Sequence, residues 1–100
     1  MGELRKALQE VVGFQWDEGN ADKSLKKHDV SDGECEQIFF NIPLVVGEDL
    51  AHSDEELRGY ALGATNAGRL LFVVFTIRGD LIRVISARDM TPKEQRRYRR

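Results

Sequence analysis

Arginines at the ends of two β-rich runs are the residues of this 100-residue chain whose types and spacing suit chemistry. One run is Arg69 to Arg78 and the other Leu81 to Arg88, and Gly79-Asp80 between them is a pair favoured in two-residue hairpin turns. Tyr60 to Thr65 reads as a third strand, returning through Asn66-Ala67-Gly68. Pairing across these turns predicts a lateral row Arg58–Thr76–Arg83 on one sheet face. The same register predicts Tyr60–Val74–Ile85 and Leu62–Phe72–Ala87 behind it and Arg78 just in front, and a single β-bulge would shift it. Neighbouring guanidiniums repel unless an anion or an acid stands between them. A face with Tyr and Arg and no predicted carboxylate suits metal-free RNA cleavage, in which the 2′-OH attacks the adjacent phosphate. Arginine stabilises the charge of the phosphorane, while Lys, His or Tyr moves the protons.

Other chemistries find no support in the residue pattern. His28 and His52 are isolated, the single cysteine gives neither a disulfide nor a metal cluster, and Gly63, Gly68 and Gly79 do not precede a helix as phosphate-loop glycines would. Cys35, beside Ile38 and Phe39 in a helical pattern, reads as buried filler. No apolar run spans a bilayer and no secretory leader is apparent, so a soluble cytoplasmic protein with no cofactor or metal is the expectation. The formal net charge is −2, but residues 1–60 hold 6 Lys/Arg against 14 Asp/Glu and residues 61–100 hold 9 against 3. That asymmetry points to a polyanion or an acidic partner at the basic part, against the blander reading of a solvated basic tail.

The elements that must position the row are short. Leu4, Ala7, Leu8, Val11 and Val12 form a helical stripe, and Phe14-Gln15-Trp16 reads as an edge strand or a hydrophobic staple. Asp17 suits the N-cap of a helix over about 18–28 that ends at Lys26-Lys27-His28, where positive charge complements the dipole. Ser31 with Glu34, and Thr91-Pro92 with Glu94, are capping boxes opening two further helices. Asn41-Ile42-Pro43 stops the first of these, Leu44-Val45-Val46 is a short strand, and Gly47 to Glu56 is an acidic connection. The order predicts one α+β domain over 1–100: helices packed on an antiparallel meander of about four strands, then a C-terminal helix held by little but Met90 and Tyr98.

From Phe14 to Tyr98 the chain resembles the BrnT toxins. The matching pieces are Phe14-Gln15-Trp16-Asp17-Glu18, Lys27-His28 with Val30-Ser31, Asn41-Ile42-Pro43-Leu44, and Arg58 five residues before Gly63. They continue through Arg69 to Thr76, Arg78-Gly79, Ile82 to Arg88, and Glu94 with Arg96-Arg97-Tyr98. Asp29 stands where the family commonly has Gly after Lys-His, and residues 1–13 look like an added helical extension. The resemblance implies a RelE-like fold and a metal-independent endoribonuclease toxin of a type II toxin–antitoxin pair that blocks translation. It also implies neutralisation by a BrnA-type, DNA-binding antitoxin in a heterotetramer that represses its own operon. The family's basic residues map onto Lys27, His28, Arg58, Arg78, Arg83 and Arg88. On that reading Arg58 and Arg83 hold the phosphate, Lys27 or His28 takes the proton, and Tyr60, Thr76, Arg78, Arg88 and Tyr98 contact RNA. The alternative is a non-catalytic or degenerate module that binds RNA or the antitoxin.

Overall fold

The computed structural model describes residues 2–49 and 56–99. Most of the acidic connection, with His52, lies outside the described residues. In chain order the elements are α1 (Gly2–Glu10), β1 (Gly13–Phe14), α2 (Lys23–His28), α3 (Asp32–Ile38), β2 (Val45–Glu48), β3 (Leu57–Ala64), β4 (Leu70–Arg78), β5 (Leu81–Asp89) and α4 (Pro92–Tyr98). The fold is α+β, as the pattern predicts, but the sheet has five strands in the order β1-β5-β4-β3-β2. Strands β2 to β5 are antiparallel, whereas β1 runs parallel to β5 and makes the sheet mixed.

The hairpin forms as the sequence predicts. Arg78 faces Leu81 across Gly79-Asp80, with Gly79 at φ 62, a conformation that glycine adopts without steric cost. Alternation along β4 sends Leu71, Val73, Phe75 and Ile77 to one face, where they meet Val30, Cys35 and Ile38 in the main core. Burial raises the Cys35 thiol to about 12, so it stays protonated and inert, as filler should. The opposite face carries Arg58, Tyr60, Val74, Thr76 and Arg83 and is open except at one end. There Met90 and Tyr98, from the β5–α4 junction and from α4, bury against Leu62 with Leu70 and Phe72 alongside.

One register expectation is overturned. Val74 pairs with Ser86 and Phe75 with Val84, so Ile85 is an extra residue, a β-bulge in β5. Beyond it the rows read Tyr60–Val74–Ser86 and Leu62–Phe72–Arg88 instead of ending at Ile85 and Ala87. The bulge turns Ala87 into the core and puts Arg88 on the open face. It lies behind the Arg58–Thr76–Arg83 row, which keeps its predicted register.

Two helical expectations also change. Residues 18–22 form turns, and α2 begins only at Lys23, so Asp17 caps no helix. The apolar stripe of α1 ends early: Val11 and Val12 lie beyond the helix, and Val12 is 76 % exposed. Both capping boxes are present, each with its Glu side chain returning to the cap backbone. The extension is part of the fold, since Leu4 is 2 % exposed and packs where Gly59 of β3 has no side chain. Leu4→Ala should therefore cost about 2–5 kcal/mol, read as a lowered urea midpoint. An unchanged midpoint would remove α1 from the cooperative unit.

Candidate functional site

The open face is an ordered lattice. Its front row runs Arg58 on β3, Thr76 on β4 and Arg83 on β5, so the two arginine backbones are two strand spacings, about 10 Å, apart. Thr76 is 6 % exposed, and its hydroxyl has no hydrogen-bond partner among the described residues. A buried hydroxyl without a partner is costly, and Thr76 carries it between the strand positions of Arg58 and Arg83.

Carboxylates stand at both outer ends of the row, contrary to the sequence expectation of a face without them. Arg83 grips Asp17 with two hydrogen bonds, Nη1 to Oδ2 at 2.7 Å and Nη2 to Oδ1 at 2.9 Å, and Nη1 also reaches Gln15 Oε1 at 3.3 Å. The Arg83 side chain is only 13 % exposed. Asp17 is itself held by the Gly19 N–H at 2.8 Å, and the Arg83 bond pulls its pKa below the usual carboxylate value. At the other end Arg58 Nε lies 3.4 Å from Asp49. In front, Arg78 pairs with Glu56 at 2.6 Å, which lowers the Glu56 pKa.

The loop that presents Asp17 is built by the edge of β5. Strand β1 pairs with β5 for only two residues, Gly13 with Leu81 and Phe14 with Ile82. The chain continues the edge with Gln15 N–H donating to the Ile82 carbonyl and Asn20 Nδ2 donating to the Val84 carbonyl. The Ala87 N–H then donates to Ser24 Oγ at 2.9 Å. Asn20, 5 % exposed, also receives the Asp17 N–H and donates to the Gln15 carbonyl, so this buried amide fixes the turn.

Behind the row, Tyr60 stacks on Phe72 with ring centroids 5.7 Å apart, and Arg97 of α4 lies over Tyr60 at 5.4 Å. Arg88 sits 4.3 Å above Phe72 and holds Glu94 with two hydrogen bonds, at 2.8 and 3.0 Å. That contact lowers the Glu94 pKa and raises that of Arg88.

Arg58, Thr76 and Arg83 thus stand together, with Arg78 in front and Tyr60 and Arg88 in the rows behind. Tyr98 is buried where α4 closes one end of the open face; its hydroxyl donates to the Pro43 carbonyl at 2.7 Å, and burial raises its pKa. Lys27 and His28 are exposed at the end of α2, by Asp29, whose positive φ explains why glycine suits that position. The Asp29 and His28 carbonyls accept from Arg69, which pairs with Asp89 and Glu34. Asp89 is six residues along β5 from Arg83, roughly 17 Å once the bulge is discounted, so the structure does not bring Lys27 and His28 to the row. The residues that sequence reasoning missed are Asp17, Asp49 and Arg97.

Residues 16–94 match the family model described as the ribonuclease toxin, BrnT, of type II toxin–antitoxin systems. The chain belongs to the BrnT family. No curated protein matches it. As a BrnT toxin it is a ribonuclease of a type II toxin–antitoxin system, with an antitoxin as partner and RNA as target. None of the described helices is long and apolar enough to cross a membrane.

The acid–arginine pairs give this BrnT domain a contribution to stability that acid removes. Asp17, Glu56, Asp89 and Glu94 all have pKa values depressed mainly by an arginine, and Glu34 by the Ser31 N–H and then Arg69. Their contribution is complete above the ordinary carboxylate pKa and is lost as pH falls through the depressed values. The melting temperature should stay level from about pH 7 to 5 and fall below about pH 4. Arg88→Ala releases Glu94, so that variant should show a shallower fall, measured by thermal melts across the same pH range.

Proposed function

We propose that this chain cleaves RNA at the Arg58–Thr76–Arg83 row without a metal. The observation that carries the reading is the buried Thr76 hydroxyl, without a partner among the described residues, between two arginines whose carboxylates stand on the outside of the row. A phosphodiester entering between Arg58 and Arg83 accepts the Thr76 hydroxyl hydrogen once the side chains that cover that buried hydroxyl move aside. The 2′-OH gives its proton to water and its oxygen bonds to phosphorus, the bond to the 5′-oxygen breaks, and that oxygen takes a proton from water, leaving a 2′,3′-cyclic phosphate and a free 5′-hydroxyl. The guanidiniums stabilise the extra negative charge of the phosphorane, where such donors are worth most.

Proton transfer needs groups within hydrogen-bond reach of the row. Lys27 and His28 are too far along the sheet in this conformation, and the flanking carboxylates are the nearest acceptors. Asp17, ionised through its bond to Arg83, is a weak base. Charge stabilisation by the arginines therefore carries most of the rate. The bidentate grip of Asp17 fixes the Arg83 guanidinium at the outer end of the row, which makes Asp17 a positioning residue. The same reading includes cytoplasmic action, arrest of translation by cutting RNA, and neutralisation by a DNA-binding BrnA-type antitoxin in a heterotetramer that represses the operon. It is supported by the family membership and the basic open face.

Inducing the chain alone should arrest growth, and an Arg58→Ala/Arg83→Ala double variant of matched yield should not. With purified protein and RNA, loss of these contacts should lower cleavage by about a hundredfold or more. Arrest by both proteins would discard the row. Arrest by neither would favour a module that binds RNA or the antitoxin without cutting, a reading consistent with the acid partners of the row arginines. Asp17→Asn should lower kcat by about tenfold with KM little changed, and Asp17→Glu should restore part of it. An unchanged kcat in the Asn variant would leave Asp17 with a structural role only.

A further inference from the structure

Directly behind the phosphate row, the second row of the open face is Gly47–Tyr60–Val74–Ser86. The Tyr60 ring lies across the backbone of β2, because a side chain at Gly47 would collide with its Cζ, Cε2 and Oη atoms. Phe72, tilted only 21° from it, extends the same platform. Above the platform stands Arg97. Arg88, its neighbour over Phe72, is anchored by Glu94, whereas exposed Arg97 makes no ion pair among the described residues. One aromatic face and one unanchored guanidinium therefore confront each other across 5.4 Å.

A planar group between them needs about 3.5 Å on each side, roughly 7 Å in all, so a small outward shift of the Arg97 side chain admits it. Nucleobases stack on tyrosine rings and on guanidinium planes alike. The distance from this row to the Arg58–Thr76–Arg83 row is two residues along a strand, about 7 Å, within the span of one nucleotide.

We propose that Tyr60 and Arg97 clamp an unstacked nucleobase beside the phosphate held by Arg58, Thr76 and Arg83, so that the site selects single-stranded RNA. This inference rests on the phosphate-row reading for its substrate and adds the base subsite. A base inside a duplex is stacked on its neighbours and cannot enter the clamp. The ring supplies stacking to any base, so the subsite sets strandedness and affinity more than sequence.

The test uses the full chain and a short RNA in which one base is 2-aminopurine, whose fluorescence is quenched by stacking, and every 2′-OH is methylated to block cleavage. The wild type should quench the probe on binding, and the same probe annealed to its complement should bind at least tenfold more weakly. Tyr60→Phe keeps the ring and should quench like the wild type. Tyr60→Leu should lose the quench and bind about tenfold more weakly. Arg97→Ala, at an exposed position that does not threaten folding, should lose part of both. Unchanged quenching and affinity in both Tyr60→Leu and Arg97→Ala would overturn the clamp, as would equal binding of the duplex. The two readings fail separately. If Arg58→Ala/Arg83→Ala abolishes cleavage of unmodified RNA while Tyr60→Leu binds the probe normally, the phosphate row stands and the clamp falls. If the double variant still cleaves while Tyr60→Leu loses the quench, the clamp stands and the row falls.

Discussion

Strand β5 has hydrogen-bonding groups on two sides, and only one side is met by β4. The other side is an edge, and the way the chain satisfies it determines where the functional residues stand. Two residues of β1 cover the start of that edge. After them the backbone leaves the ladder and side chains take over, with Asn20 on the Val84 carbonyl and Ser24 on the Ala87 N–H. A longer β1 would have carried residues 15–24 straight along β5. The substitution of side-chain amide and hydroxyl for backbone lets the chain rise out of the sheet between Gln15 and Asn20. Asp17 stands at the top of that rise, and from there it reaches Arg83.

The bulge at Ile85 acts on the same strand in the opposite sense. Polar residues at 83, 86 and 88 are separated by three and then two positions, and a regular strand cannot place all of them on one face. One extra residue reconciles them: Arg83, Ser86 and Arg88 share the open face while Ile82, Val84 and Ala87 fill the core. Asp89 then turns to the helical side to meet Arg69, which also ties the α2–α3 corner through the Asp29 carbonyl and Glu34. The bulge thus allows both the open basic face and the packing of the helices beneath it.

The legible parts of the molecule were those with short-range causes. A two-residue turn sets the β4–β5 register close to the turn, so Thr76 opposite Arg83 followed from counting, as did Arg58 opposite Thr76 across the loop before Arg69. The capping boxes were legible because each is closed within four residues. Asp17 was not, because Asp before a polar segment has an obvious local use as an N-cap, and the competing partner is 66 positions away. Asp49 was hidden for a similar reason, inside an acidic stretch that reads as solvated connection. Arg97 could be assigned to a basic helix but not to Tyr60, since that contact depends on how Met90 and Tyr98 seat α4 on Leu62. Lys27 and His28 show the converse: their chemistry fits, but α2 ends beside Arg69 and Asp89, away from the row, a placement that depends on long-range contacts.

The resting charge pattern of the face follows from where its acids are allowed to stand. Two guanidiniums two strands apart with nothing between them repel, and the fold answers this from the outside, with Asp49 beyond β3 and Asp17 beyond β5. Each acid neutralises its arginine without occupying the space over Thr76. A carboxylate placed between the two arginines would have been the stronger stabiliser and would have competed with phosphate for the same atoms. The outer placement keeps both arginines oriented and their charges compensated, and the Thr76 hydroxyl in the middle of the row has no hydrogen-bond partner among the described residues. A face that only needed stable strands would be served by Thr76 as Val, with the same shape and no hydroxyl to bury.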